Sequence, residues 1–174
     1  DDYTEVDVTA NVVFGERISF GYQGNIVFTR GELGEFISQI RSTGLGKDFV
    51  GIIKNKFLDE YRARAHNSVR IDVKTVEMIN IKHVTFTIHE GKRTRLDGIR
   101  WEGLNATNLA DAKRVLNENV SRLVQRDYYV EKDIDKGLSV ALENLKANGY
   151  LSSKLVAKTV QPVVSKDREF DHVN

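Results

Sequence analysis

The residues that could do chemistry in this chain are few and widely separated. The 174-residue sequence has four histidines, His66, His83, His89 and His172, and no cysteine. Metal sites usually show ligands at short, regular spacing, as in HExxH or CxxC, and no such pairing occurs here. A Gly-x-Ser-x-Gly nucleophile motif is also absent. The sequence therefore predicts no metal site and no catalytic residue, and it excludes disulfide bonds.

Two glycine-containing stretches could bind phosphate groups. "TGLGKDFVG" (Thr43–Gly51) follows a helical pattern, whereas a phosphate loop should follow a strand, so we expect Gly44 to end a helix. "GELG" (Gly31–Gly34) matches the GxxG of KH nucleic-acid modules, but that loop joins two helices. Here the motif precedes the first helix and carries Glu32, which repels phosphate. With 26 basic and 25 acidic residues, the chain also lacks the basic excess of a nucleic-acid binder. A KH-like module is the least favoured interpretation.

The elements that would position any site occur twice in the same order. Apolar residues at helical or alternating spacing define them. The first copy comprises strand Arg17–Gln23, helices Glu32–Ser42 and Lys47–Arg64, and strands Val69–Val76 and Lys82–His89. The second comprises strand Thr94–Glu102, helices Asn108–Asn117 and Glu131–Ala147, and strands Ser153–Val160 and Arg168–Val173. We predict an α+β protein of tandem β-α-α-β-β modules, each a three-stranded mixed sheet with two helices on one face.

The module boundaries follow from the strand–glycine–strand junctions. We expect residues 1–15 to be the closing strand of a preceding module, 16–91 to be one module and 92–174 a second. Gly91 supplies a sharp turn with no spare linker, so the modules should stack semi-rigidly. Val6–Phe14 should pair with an exposed sheet edge of a neighbouring molecule or lack order. The last strand stops at Asn174, short of its own Glu-Gly turn, so the second sheet should be under-filled.

Several single residues have predicted places. Asn67 and Gly149 should end the second helix of each copy in a left-handed conformation. Leu138 lies on the apolar stripe of its helix and should be buried. Trp101 shares strand parity with Ile99 and should face the core. Tyr128-Tyr129 lie in the loop between the helices of the second copy, where an aromatic pair serves either for docking or for anchoring the loop.

The stretch "FTIHEGKRTRLDGIRWEGL" (Phe86–Leu104), together with Gly149-Tyr150, resembles the junctions of POTRA domains. The resemblance implies the periplasmic, soluble part of a cell outer-membrane protein, joined to a C-terminal barrel. It implies unfolded outer-membrane protein clients and accessory lipoproteins or periplasmic chaperones as partners. It implies no cofactor, no nucleic acid and no catalysis. BamA-like, TamA-like and two-partner secretion proteins all remain open as the subfamily.

The resemblance also implies where a polypeptide would bind. It places the fourth element of each module at the edge of its sheet, where an extended peptide can add as a further strand. The predicted peptide-binding residues are Val69, Arg70, Ile71, Asp72, Val73 and Lys74 in the first module, and Leu155, Val156, Ala157 and Lys158 in the second.

Overall fold

The computed structural model describes residues 7–12, 15–41, 48–163 and 170–173. Within these residues the strands are β1 (Arg17–Gln23), β2 (Arg70–Met78), β3 (Ile81–His89), β4 (Arg93–Leu96), β5 (Pro162–Val163) and β6 (Phe170–Val173). The helices are α1 (Arg30–Arg41), α2 (Phe49–Ala63), α3 (Ala106–Asn119), α4 (Arg122–Gln125) and α5 (Glu131–Ala147). Their order is β-α-α-β-β followed by β-α-α-α-β-β, which confirms the predicted fold class apart from the short α4.

The first sheet has the strand order β1-β3-β2, with β1 parallel and β2 antiparallel to the central β3. Alternate strand residues face the helices because side chains alternate across a sheet. Val84, Phe86 and Ile88 of β3 are buried together with Ile53 and Phe57 of α2. The core is therefore a single layer between one face of the sheet and the two helices.

The second sheet has the same order, β4-β6-β5, with β4 parallel and β5 antiparallel to β6. Its strands are shorter than predicted: β4 ends at Leu96 instead of Glu102, and Ser153–Val160 forms no strand. The register gives the reason. Leu96 and Pro162 both pair with Val173, the last described residue of β6. Among the described residues β6 therefore offers no partner to later residues of β4 or earlier residues of β5, and a strand without a hydrogen-bonding neighbour is not formed.

The two long second helices end differently. After α5, Gly149 has φ +95, and Tyr150 donates its N–H to Leu145, which confirms the left-handed cap. After α2, the left-handed residue is Ala65, with φ 67, and not the predicted Asn67. The helix stops at Ala63, so the left-handed position falls two residues earlier. Ala65 is fully buried, and this packing offsets the strain of its backbone.

The core of the second module surrounds α5. Leu138 is 7% exposed, as predicted, and packs with Ile134 and Val124. Trp101 packs against the same cluster, which confirms that it faces the core, although it lies in a loop and not in a strand. Val124 belongs to α4, a four-residue helix too short to show a periodic pattern in the sequence.

The N-terminal segment is described only in part. Residues 7–12 have no regular secondary structure, and all six are exposed. Among the described residues β1 pairs with β3 alone, so residues 7–12 do not extend the first sheet. The other residues of the predicted strand Val6–Phe14 at positions 6, 13 and 14, and Gly44 with most of "TGLGKDFVG", lie outside the described residues. Pairing of this segment with a neighbouring molecule stays a prediction.

Candidate peptide-binding edges

Strand β2 is an edge strand, as predicted. It has nine residues and pairs along its full length with β3 on one side. On its other side it has no strand partner among the described residues. The N–H and C=O groups on that side are therefore available to an extended polypeptide.

The side chains of β2 alternate as the sequence indicates. Ile71 is 3% exposed and anchors the strand in the core, while Arg70, Asp72 and Lys74 are exposed. Asp72 lies 3.4 Å from the imidazole of His89 across the β2–β3 pair. Charged side chains of both signs beside a free edge discourage pairing with arbitrary apolar strands without blocking the backbone.

The β2–β3 hairpin continues past the predicted end at Val76 and carries an exposed apolar tip. Met78 is 63% exposed, Ile79 92% and Ile81 38%. Asn80 occupies the left-handed region at the turn, with φ 61. The exposed edge of β2 thus ends in apolar side chains that a bound segment could cover.

The second predicted edge differs from the first. Leu155, Val156, Ala157 and Lys158 are exposed and belong to no strand. Lys158 reaches the N-terminal part of α5, where its Nζ lies 3.1 Å from Glu131 and 2.5 Å from Asp135. Partial burial alone would lower the pKa of Lys158, but these carboxylates raise it above its ordinary value. Among the described residues of the second module, the edge strand is Pro162–Val163.

The opposite edge of the second sheet is covered from within the chain. Leu96 of β4 donates its N–H to Asp127, and Tyr129 donates its N–H to Thr94. Residues 127–129 thereby form a short antiparallel pairing with β4. Tyr129 is 8% exposed, so this half of the aromatic pair anchors the loop.

The two modules meet through several direct contacts. Thr94 donates its N–H to Ala65, and the Asn67 side-chain amide donates to Tyr129 at 2.9 Å. Lys132 forms an ion pair with Asp59 at 2.8 Å. Ala65 itself packs into the hydrophobic cluster of the second module. These contacts support the semi-rigid stacking expected from the short junction.

Glu90, in the junction phrase "HEG", has a structural role that the sequence did not reveal. Its Oε1 accepts hydrogen bonds from the N–H groups of Ile26 and Val27 and from the hydroxyl of Tyr61. Burial and the neighbouring Glu90 raise the pKa of the Tyr61 phenol well above its ordinary value. The carboxylate therefore fixes the loop between β1 and α1 to the end of β3.

Two of the histidines and the GELG stretch have structural roles. His83 pairs with Ser19 across β1 and β3 at 2.7 Å, and His172 pairs with Asp97 at 2.7 Å. Gly31–Gly34 lies inside α1, and Glu32 closes a capping box with Thr29. Within the described ranges no group of three or more potential ligands could hold a metal ion.

Two of the depressions on the described surface lie near predicted elements of the modules. The first, of about 320 Å³, lies on β1 and β3 and is lined by residues such as Gly21, His83 and Thr85. The second, of about 550 Å³, lies at the module junction beside Asn67, Lys92 and other residues. None of the described helices is both long and apolar enough to span a bilayer.

Solved structures show which fold this is. Over 91% of this chain, the structure is similar to BamA POTRA3-5 from Haemophilus influenzae, with a TM-score of 0.51 and 14% identity. Over the same share it is similar to BamA from Haemophilus ducreyi lacking POTRA domains 1-3, with a TM-score of 0.53 and 15% identity. The chain spans 59% and 28% of the lengths of these two structures.

A third structure, CdiB from Escherichia coli, aligns with 98% of this chain and 28% of its own, at 15% identity and a TM-score of 0.37, too low to imply a shared fold. No protein-family model and no curated protein sequence matches the chain. At these identities the two BamA structures establish the fold alone, and that fold is the tandem POTRA arrangement of a three-stranded mixed sheet with helices on one face.

Proposed function

We propose that this chain is a non-catalytic polypeptide-binding scaffold of an outer-membrane protein assembly or insertion machine, located in the periplasm as the soluble part of an outer-membrane protein. It would consist of modules 16–91 and 92–174, preceded by a strand remnant at 1–15. Unfolded barrel clients and accessory lipoproteins or chaperones would be its partners. The fold shared with BamA POTRA domains supports this proposal.

The observation that carries the proposal is the free edge of β2. Its nine residues would give an added strand a full row of backbone hydrogen bonds, which accept many sequences because they do not involve side chains. The strand backbone within Val69–Lys74 would contact the client, while the side chains of Val69 and Ile71 stay buried in the core. Leu155–Lys158 would form a second peptide-binding edge only if the central strand were longer than the described β6, so that residues 153–160 could pair with it.

Proline substitutions at two neighbouring exposed residues of β2 test the edge. The N–H groups of successive residues point to opposite sides of a strand, so one of Lys74 and Thr75 donates toward β3 and the other toward the free edge. Lys74→Pro and Thr75→Pro should therefore separate into one variant that lowers the melting temperature and one that leaves the fold intact. The probe is a fluorescent peptide of alternating valine and threonine.

The folded proline variant should lose binding of this peptide, and the wild-type protein should show slowed hydrogen exchange along β2 when the peptide is bound. Equal binding by the wild type and the folded proline variant would refute strand addition at β2. A role in two-partner secretion would use the same edge. The two roles differ in the client that is bound. An assembly scaffold should bind unfolded barrel proteins, whereas a secretion transporter should bind its own secreted substrate.

A further inference from the structure

We propose that Arg93 and Arg95, held on the aromatic rings of Tyr128 and Phe170, form a second binding site that takes acidic polypeptide segments with carboxylates on alternate residues. The site lies on the face of the second sheet opposite its helix-side core, beside the C-terminal ends of α2 and α4. It would let the scaffold proposed above recognise acidic segments as well. The inference rests on the proposed function only in assuming that the ligand is a polypeptide. It does not involve β2.

The position of the two arginines follows from the strand geometry. Thr94, between them, is 3% exposed, and Leu96 packs into the helix-side core. Side chains alternate along a strand, so Arg93 and Arg95 lie on the opposite face. There they are paired in register with Phe170 and His172 of β6.

Both guanidinium groups are held in place by aromatic rings. The Cζ atoms of Arg93 and Arg95 lie 3.9 Å and 4.5 Å from the centroid of the Tyr128 ring, and Arg95 lies 4.9 Å from that of Phe170. The two rings contact each other edge to face at 6.2 Å. Stacking of this kind orients a guanidinium while leaving its N–H edge available for hydrogen bonding.

Most of the hydrogen-bonding capacity of the pair is unused within the described residues. Arg93 donates through Nε to the carbonyl of Arg64 at 3.3 Å, and Arg95 donates through one terminal nitrogen to the carbonyl of Arg126 at 2.9 Å. Each guanidinium has five N–H donors. Neither forms an ion pair with a carboxylate of the described residues.

Among the described residues, the charge of this pair is offset by carbonyls at the C-terminal ends of α2 and α4 and not by a carboxylate. Asp97, which follows β4, pairs with His172. Two like charges close to one ring repel each other, and an anion bound between or beside them would relieve this repulsion. A carboxylate fits because its two oxygens match the paired donors of a guanidinium.

The spacing of the two arginines favours a polypeptide over a membrane surface. Residues two apart on a strand are separated by roughly 6.6 Å along the chain, which is also the separation of alternate residues in an extended peptide. Partly buried guanidinium groups held over aromatic rings are less suited to a lipid headgroup layer, which is bound by protruding basic and apolar side chains.

Two isomeric seven-residue peptides test the site, one with aspartate at positions two, four and six among serines, the other with three adjacent aspartates. Their charge and composition are identical, so non-specific attraction is the same for both. Fluorescence anisotropy should show tighter binding of the alternating isomer, weakening as salt increases. Arg93→Gln and Arg95→Gln should each weaken it about fivefold, the upper range for one exposed ion pair.

The matched control is Arg17→Gln, an exposed arginine of the first module whose removal changes the net charge equally. It should leave binding unchanged, and Arg95→Lys should weaken it because lysine keeps the charge but lacks the planar donors. Circular dichroism melts confirm that each variant is folded. Equal affinity for the two isomers, or binding unaffected by both glutamine variants, would overturn the proposal.

Vesicles containing one quarter phosphatidylglycerol provide the last comparison. If they bind the protein through Arg93 and Arg95 while the alternating peptide does not, the site recognises lipid and the proposal is wrong. The β2 proline variant that stays folded should bind the alternating acidic peptide normally. A result that refutes the arginine site therefore does not refute strand addition at β2, and the reverse also holds.

Discussion

Replacement of Gly91 by alanine should destabilise the protein more than replacement of a glycine that is only conformationally strained. Gly91 has φ +67 at the module junction. A Cβ there would overlap the Oγ of Ser68 and lie 3.2 Å from its Cβ. Left-handed strain costs about 1–2 kcal/mol, and relief of the overlap about 1–3 kcal/mol more. The expected total is therefore about 2–5 kcal/mol.

Gly149→Ala is the matched control for strain alone. Gly149 has φ +95, and no heavy atom of the described residues lies within 4 Å of the point that an alanine Cβ would occupy. This variant should be less stable by the strain alone, which is about 1–2 kcal/mol of the free energy of unfolding. The difference between the two variants then measures the overlap at the junction.

Adding Ser68→Ala to Gly91→Ala isolates the contact with the hydroxyl. The double variant should recover about 1–2 kcal/mol relative to Gly91→Ala, since the closest overlap is removed while the Cβ contact remains. Urea and thermal unfolding followed by circular dichroism measure the series, in which each kcal/mol corresponds to roughly 2–4 °C. Equal losses for Gly91→Ala and Gly149→Ala, or no recovery in the double variant, would refute this account of the junction.

Three further predictions concern the cores and Glu90. Leu138→Ala should lower the free energy of unfolding by about 2–5 kcal/mol because the side chain is buried beside Ile134; a melting temperature within a degree of the wild type would contradict its packing. Glu90→Ala should lower the free energy of unfolding in urea by about 2–4 kcal/mol, since it leaves the N–H groups of Ile26 and Val27 and the Tyr61 hydroxyl without their acceptor. An unchanged urea midpoint would contradict the role of Glu90 in fixing this loop. The raised pKa of Tyr61 favours its neutral form in the folded state, so its contribution to stability should be complete below pH about 10 and decline above it. In an alkaline absorbance titration, Tyr61→Phe should remove a tyrosine that ionises late, and loss of an early-ionising one would contradict the assignment.

Local patterns in the sequence determined most of the first module and the main helix of the second. The bounds of β1 and α5 agree with the predicted Arg17–Gln23 and Glu131–Ala147. Periodicity places an apolar stripe toward a core whatever the partner is, so the burial of Leu138 could be predicted before the fold was known. The left-handed cap at Gly149 was also predictable, because glycine adopts that conformation without a Cβ penalty.

Tertiary structure alone decided the features that depend on distant partners. The lengths of β4 and β5 are set by the central strand β6, and no pattern within Ser153–Val160 reports whether a partner exists. The left-handed position after α2 is Ala65, which packs against the second module, and Asn67 instead donates its side-chain amide to Tyr129 of that module.

The arginine pair is the clearest case of a non-local feature. Arg93 and Arg95 read in sequence as basic residues following a turn, and Tyr128 as half of a loop aromatic pair. They meet because residues 127–129 hydrogen-bond to β4, which lies more than thirty positions earlier. Contacts of that separation depend on how elements pack and not on local propensity, so the sequence supplied the side chains and the folded chain brought them together.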